Sequence, residues 1–376
     1  MIATIVLAVA AALLFYIILG YPLLLKIVRW RQWPVAKDLS HTPAVTVVVA
    51  VFNGEEFIRI KLESLLALDY PESLVDVVVV SDGSTDGTDA IVEEFASRRV
   101  RLIRAPRGGK AAALNFGIAA AGGEILFFTD VRQPIERRAL RHLAANFADP
   151  NVGAVSGELR YIDPGEGEQA MMDLYWRYEI WARKKHSAID SLMGATGCIY
   201  AIRRQLVQPL PADTLSDDVL LPIRAFLSGR RVVIDGDAIA FDYPTKTGTE
   251  FPRKIRTLAG LWQIFARQPQ LFSAKNRMRA HFLPHKFGRL AMPWALLAFV
   301  IASIAMPDSW FRTTLLWGEA GLVVLALLDQ WMPAGILKKL TAAARAFLLM
   351  NAASLLAIRV FYTAPQNLWK RTQVGA

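Results

Sequence analysis

The sequence predicts an α/β domain carried between membrane-spanning helices. Three observations predict it. Short β-branched runs alternate with helical patterns from about residue 40 to residue 250. Ile2 to Leu25 holds no charged residue. Further apolar blocks fill the C-terminus, and a helix of about 20 apolar residues spans a bilayer. Composition agrees. Apolar residues are 54% of the 376, with nine Tyr counted and 24 Gly left out. Soluble chains reach only about 45–50% with Gly counted. A disordered chain is excluded for the same reason. A lone cysteine, Cys198, excludes a disulfide scaffold and a multi-thiolate zinc site. The five His show no metal-ligand spacing.

The first apolar run reads as a signal anchor. A cleaved signal peptide has a basic start and a shorter apolar core. Here the basic residues Lys26, Arg29, Arg31 and Lys37 follow the run. Leu290–Met306, about Thr313–Leu328 and about Ala346–Tyr362 are three further spans. Cytoplasmic loops are rich in Lys and Arg, so the loop after the anchor and the one carrying Lys338, Lys339 and Arg345 face the cytoplasm. That places residues from about 27 to 288 inside. Lys370 and Arg371 in the tail then fall outside, against the rule, unless the last span is re-entrant. Glu319 and Arg359 fall within spans, either as functional groups or as snorkelling ones.

Ala44–Val51, Val75–Val80 and Glu124–Thr129 are continuous apolar strands, the kind buried on both faces of a parallel sheet. Helical patterns such as Phe57–Leu68 and Ala90–Ser97 lie between them. The alternation predicts a doubly wound sheet with right-handed crossovers. Ligands bind such sheets beyond the carboxyl ends of the strands. The loops there are polar: Phe52-Asn53-Gly54-Glu55-Glu56, then Ser81-Asp82-Gly83-Ser84-Thr85-Asp86-Gly87-Thr88, then Asp130-Val131-Arg132-Gln133. A plain helix cap needs one such residue, not two acids, two Gly and four hydroxyls. Arg107-Gly108-Gly109-Lys110 opens a helix and offers amides, a dipole and a cation to a phosphate. It is not a Walker A loop, which needs another Gly and a Ser or Thr after the Lys.

Together these segments resemble the membrane-bound family 2 glycosyltransferases, inverting enzymes of the GT-A fold that use nucleotide-activated sugars. VTVVVAVFNGEE, VVVVSDGSTDGT, GGKAAALNFGIAAAGGEILFFTD, GATGCIYAIRR, LSDDVLLPIRAFLSGRRV and FPRKIRTLAG occur in the family's order over about residues 44–260. The anchor and C-terminal helices are similar to those of synthases of chitin-oligomer, hyaluronan and ceramide-glucosyl type. The resemblance implies roles. Asn53 and Asp82 contact the base or ribose, with Glu55 close by. Lys110 reaches the nucleotide or its diphosphate. Asp130 matches the first Asp of the Asp-x-Asp motif and holds Mg²⁺ or Mn²⁺. Asp218 matches the general base, preceded by Asp217. Gly197 lies in the acceptor-side loop, and Arg253 and Arg256 match the last motif, on the diphosphate side.

The chemistry fits these residue types. An inverting transfer needs a base on the acceptor hydroxyl, best a carboxylate of raised pKa. The departing diphosphate needs a divalent cation or clustered Arg and Lys. Asp217 and Asp218 also suit a helix N-terminus. Two departures stand out. Arg132 replaces the second Asp of the motif and cannot ligate a hard cation. Either Asp130 keeps the metal with a partner such as Asp217, or Arg132 itself neutralises the diphosphate. Thr257 replaces the usual Trp, which weakens the case for long-chain polymerisation; Trp262 is a possible substitute.

Residues 1–26 are thus expected as the anchor, 40–250 as the GT-A domain, and 289–376 as the C-terminal membrane region. The Arg253–Phe272 stretch reads as amphipathic, which makes 251–288 a set of interfacial helices facing anionic lipid, or an ordinary packed helix. The charge of +10 clusters at membrane flanks without a nucleic-acid motif, so no nucleic-acid partner is expected. The functional expectation is transfer from a nucleotide sugar, of UDP type, to a lipid-linked or glycan acceptor at the cytoplasmic face of a bacterial inner membrane. A processive synthase and an inactive, regulatory transferase-like subunit are the competing readings.

Overall fold

The computed structural model describes residues 1–28, 30–162, 168–242, 250–333 and 335–364, and the side chains of all of these but 168–176 and 250. Arg29, Lys370 and Arg371, used in the charge reading above, lie outside the described residues.

Seven strands form one sheet: β1 (Val45–Val51), β2 (Val75–Asp82), β3 (Val100–Ala105), β4 (Ile125–Phe128), β5 (Val152–Tyr161), β6 (Tyr200–Arg203) and β7 (Arg231–Asp242). Their order is β3-β2-β1-β4-β6-β5-β7. Val47 pairs with Val77 on one side and Phe127 on the other. Both faces of β1 are buried, Val47 and Val49 on one side and Val48 on the other. This is the pattern that reads as an unbroken apolar run.

The sheet is mixed: the three strands read from sequence, β1, β2 and β4, do pair in parallel, and the reversed strand lies beyond them. β6 runs antiparallel to both β4 and β5, while β5 and β7 pair in parallel. The reason is where β6 starts. The turn before it is already at the carboxyl end of β4, where Thr129 Oγ1 donates to the Cys198 carbonyl at 2.7 Å. The strand can only run back from there. The reversal brings the loop before β6 to the end of the sheet where the other strands deliver theirs.

Element limits also shift. The helix after β1 begins at Glu55, inside the loop read from sequence, and β2 runs on through Asp82. The helix that follows β2 is only Thr88–Glu93.

Among the described residues, four helices are long and apolar enough to cross a membrane: Ile2–Ile27, Arg279–Ile304, Trp310–Trp331 and Ile336–Phe361. The last begins about ten residues before the expected span, so Lys338, Lys339 and Arg345 belong to its opening turns, not to a loop. Buried Asp329 makes this possible. It lies 3.1 Å from both Lys338 Nζ and Arg345 Nη1 and accepts from Thr341 Oγ1. Glu319 accepts from Ser303 Oγ at 2.8 Å, which ties two spans together.

The spans are not a separate body. The anchor packs along Arg279–Ile304, and the last span packs on the Glu250–Arg267 helix. One apolar cluster runs from Val48 and Phe128 in the sheet through Leu258 and Phe265 to Leu290, Ala353 and Val360 in the spans. At the anchor's inner end, Tyr21 Oη lies 2.5 Å from His186 Nε2 and 3.1 Å from His281 Nδ1. Glu179 bonds Arg289 at 2.9 Å and pairs with Lys286.

Arg231 locks the link between anchor and domain. It is 0% exposed and donates to the carbonyls of Asp190, Trp33 and Ser187. Its guanidinium also lies 4.4 Å from the centre of the Trp33 ring. Removing the donor strands buried carbonyls at about 1–3 kcal/mol each. Arg231→Met is therefore expected to lower the thermal midpoint of the detergent-solubilised protein by several degrees. An unchanged midpoint contradicts this account.

Candidate active site

The site is built at the carboxyl ends of β1, β2 and β4, closed by the loop before β6 and the first turn of the Asp217–Leu227 helix. Asp82 ends β2 and is 3% exposed. Its carboxylate accepts from the Gly108 amide at 2.7 Å and the Gly109 amide at 2.9 Å, and it pairs with the Arg107 guanidinium. Gly109 has φ +86°, where a side chain is strained. Arg107 in turn lies 3.8 Å over the exposed Phe52 ring.

Asn53 and Glu55 bind the two neighbouring loops together. Thr85 N donates to Asn53 Oδ1 at 2.8 Å, and Gly87 N donates to Glu55 Oε2 at 2.9 Å. These bonds give the polar loops a defined shape before any ligand arrives.

The same Gly-Gly turn opens the helix that carries Lys110. Lys110 Nζ stands 2.8 Å from Asp130 Oδ1 and 3.1 Å from Asp217 Oδ1. Burial opposes its charge, but Asp130, Asp217 and Asp218 together hold the ammonium above its ordinary value. Tyr200 donates to Asp217 Oδ2 at 2.8 Å and stacks on Phe128. Burial, then the charge of Asp217, pushes the Tyr200 hydroxyl well up, so it stays a donor.

Asp218 is the odd member of the cluster. Burial and the neighbouring Asp217 push its carboxyl up to about 7, with Lys110 opposing. A methyl group on Gly197 would stand 3.1 Å from Asp218 Oδ2, so this glycine leaves room for the carboxylate. Arg256 lies within electrostatic reach: burial pushes it down, against the pull of Asp130, with Arg253 adding repulsion.

A divalent cation fits at Asp130 but not between Asp130 and Asp217. Both Asp217 oxygens are held, by Lys110 and Tyr200, and the residue is buried. Asp130 is 38% exposed and meets Lys110 through its Oδ1. One carboxylate completed by substrate phosphate oxygens and water is an ordinary Mg²⁺-type arrangement. His142, Asp235 and Asp237 also cluster, yet Lys37 Nζ already sits 2.7 Å from Asp235.

The structure separates two residues from this group. Arg132 is 16% exposed and its guanidinium bonds Asp242 at 2.6 Å, beside the Gln133 amide. It is turned to the end of β7. Trp262 lies in an aromatic cluster with Phe287 and Phe361 where the domain meets the spans. Sequence reasoning missed Arg107, Phe52 and Tyr200 as site members. Arg107 had a signal in its place beside Gly-Gly-Lys; Tyr200, inside an apolar strand, had none.

The match to "Glycosyl transferase family 2" covers residues 46–210. Glycosyltransferase AglE of Haloferax volcanii is 31% identical over 235 residues, 60% of this chain and 75% of that one. The chain belongs to glycosyltransferase family 2. Beta-monoglucosyldiacylglycerol synthase of Synechocystis sp. is 28% identical to this transferase over 204 residues, 51% of this chain and 42% of that one. The transferase spans about half the length, or less, of several curated relatives it matches. The solved mannosyltransferase PcManGT of Pyrobaculum calidifontis, in complex with GDP-Man and Mn²⁺, is 28% identical with a TM-score of 0.76. That match covers 95% of this chain and 99% of the other, spans included. The chain thus has the GT-A fold, with one N-terminal and three C-terminal helices long and apolar enough to cross a membrane.

The raised Asp218 carboxyl has a stability consequence. Its native pKa exceeds the ordinary value of 3.8, so the native state binds the extra proton between pH 3.8 and about 7. Stability then falls as pH rises through that window. Asp218→Asn is expected to stabilise the fold at pH 8 by about 1.4 kcal/mol per displaced unit, and much less at pH 4. Melting curves at the two pH values check this. An equal effect at both would sink it.

Proposed function

We propose that the transferase moves a sugar, with inversion, from a nucleotide sugar to a membrane-associated acceptor, with Asp218 as general base. The observation that carries the reading is the unequal treatment of two adjacent carboxylates. Asp217 is held by Lys110 and Tyr200, while Asp218 is left with a carboxyl near pH 7 beside the open face of Gly197. Environments that push two acids apart assign their roles. Asp217 anchors the Lys110 ammonium, and Asp218 accepts the proton of the acceptor hydroxyl as that oxygen bonds the anomeric carbon.

The donor's bond to its diphosphate breaks on the opposite side. Lys110, Arg253 and Arg256 supply positive charge toward the departing group. Asp130 is the residue that would hold Mg²⁺ or Mn²⁺, which stabilises the charge developing on the diphosphate when bound. A solved relative holds Mn²⁺ with its nucleotide sugar, which supports this choice. Asp82, Asn53 and Arg107 form the base and ribose end, with Glu55 shaping it. UDP-sugars remain the leading donors, and the GDP-Man complex of that relative makes GDP-sugars the direct rival.

A lipid-linked acceptor is favoured over a growing polymer. The monoglucosyldiacylglycerol synthases among the relatives carry glycolipid synthesis in their names. Trp262 stands in the aromatic join to the spans, where it supports a membrane-level acceptor. Residues 1–26 serve as anchor, 40–250 as catalytic domain, 251–288 as the layer at the membrane surface and 289–376 as the C-terminal membrane region. In this reading the catalytic face lies on the cytoplasmic side of a bacterial inner membrane, which the basic residues after the first span support.

Two tests follow. The base must be ionised, so kcat/KM is expected to fall about tenfold per pH unit below about 7 and to level off above it. Asp218→Asn is expected to cost about 10²–10⁴-fold in kcat with donor binding retained. EDTA is expected to abolish nucleotide release and Mn²⁺ to restore it. Release that needs neither Asp218 nor a metal refutes the mechanism, and no release from any UDP- or GDP-sugar favours the regulatory subunit.

A further inference from the structure

The helix Glu55–Leu66 turns Ile58, Lys61, Leu62 and Leu65 into the core. Three are aliphatic, and the fourth is a lysine with 0% exposure. Burial pushes its ammonium down to about 7. A buried cation carries a desolvation cost that a methionine of similar length does not. The geometry shows what the lysine does there. Its Nζ donates to Thr129 Oγ1 at 2.5 Å and to the Gln133 carbonyl at 2.6 Å. Those two residues bracket Asp130, Val131 and Arg132.

The contacts continue on both sides. Thr129 Oγ1 donates to the Cys198 carbonyl at 2.7 Å, next to Gly197, whose open face meets Asp218. The Gln133 side chain donates to Asp242, which also holds Arg132. Two hydrogen bonds from one atom therefore fix both ends of the Asp130 segment and join it to the turn beside the base. Lys110 and Asp242 hold side chains of this segment, but Lys61 reaches the Gln133 backbone and the Thr129 hydroxyl at its two ends, and about 1 Å of misplacement at a site carboxylate can cost a hundredfold in rate.

We propose that Lys61 is a positioning residue: from beneath the site it holds the Thr129–Gln133 segment, and with it Asp130, in register with the Gly197 turn and Asp218. It touches neither substrate nor the reacting atoms. The inference rests on the active-site reading above.

The test compares Lys61→Met, Thr129→Val and Leu62→Ala in the full-length detergent-solubilised protein. Thr129→Val breaks the same link from the other end and serves if Lys61→Met does not fold. Leu62→Ala weakens the same helix without touching the link. Amide exchange in peptides covering 129–133 and 196–199 is expected to rise about tenfold in the first two variants, with β1 and β2 still protected. Their kcat is expected to fall about 10–100-fold, with the acceptor KM within about threefold of wild type. Leu62→Ala should instead lower the melting temperature without this local pattern. Three results overturn the proposal: exchange at 129–133 unchanged, exchange raised evenly over the domain, or local loosening with kcat unaltered. A wild-type protein without turnover would refute the functional reading instead, and a failure of Lys61 to control the loop would still show in the exchange data.

Discussion

The site depends on one cation. Asp130, Asp217 and Asp218 converge at the end of a buried sheet, where three carboxylates cannot all be ionised without a counter-charge. Lys110 supplies it, within 2.8 Å of one and 3.1 Å of another. Its backbone position follows from the Gly108-Gly109 turn, which is itself pinned by Asp82. The nucleotide end and the acid end of the site are therefore one construction. A shift at Asp82 would reach, through two glycines, the ammonium that stands between Asp130 and Asp217.

The reversed strand β6 is the second constraint. It exposes no new surface of its own. Its effect is to bring the Gly194–Ile199 turn to the ligand end of the sheet, against Asp218 and Thr129. The apolar cluster beneath continues without a break into Ala353, Ala357 and Val360 of the last span. The spans and the floor of the site thus share one packed core, in which a change of side-chain volume at one end is felt by its neighbours. Arg231 and the Tyr21–His186 contact make the same link on the anchor side.

Much of this was legible from residue order. The runs around Val47, Val77 and Phe127 identify buried strands because β-branched and aromatic residues without a helical period suit a sheet covered on both faces. The Gly-Gly-Lys turn and the polar loop at Asp130 are local motifs and could be read from residue order, while the Asp217-Asp218 pair was marked by the family resemblance. Partner choice was not legible. Arg132 lies two positions from Asp130, and only the fold shows Asp242, 110 residues on, taking its charge. Trp262 stood near the right motif and faces an aromatic cluster at the spans. Lys61 sat at an inward helix position, and nothing nearby in sequence named Thr129 and Gln133 as its acceptors.

By itself, then, the sequence determined the buried strands β1, β2 and β4, the four apolar helices and the family, because periodicity, length and short motifs are properties of neighbouring residues. The tertiary structure alone decided the direction of β6, the joining of spans to the catalytic core, and which carboxylate is held by Lys110 and Tyr200 and which is raised by burial. Those outcomes depend on desolvation and on charges far apart in the chain. Both act through distance in space, on which residue order is silent.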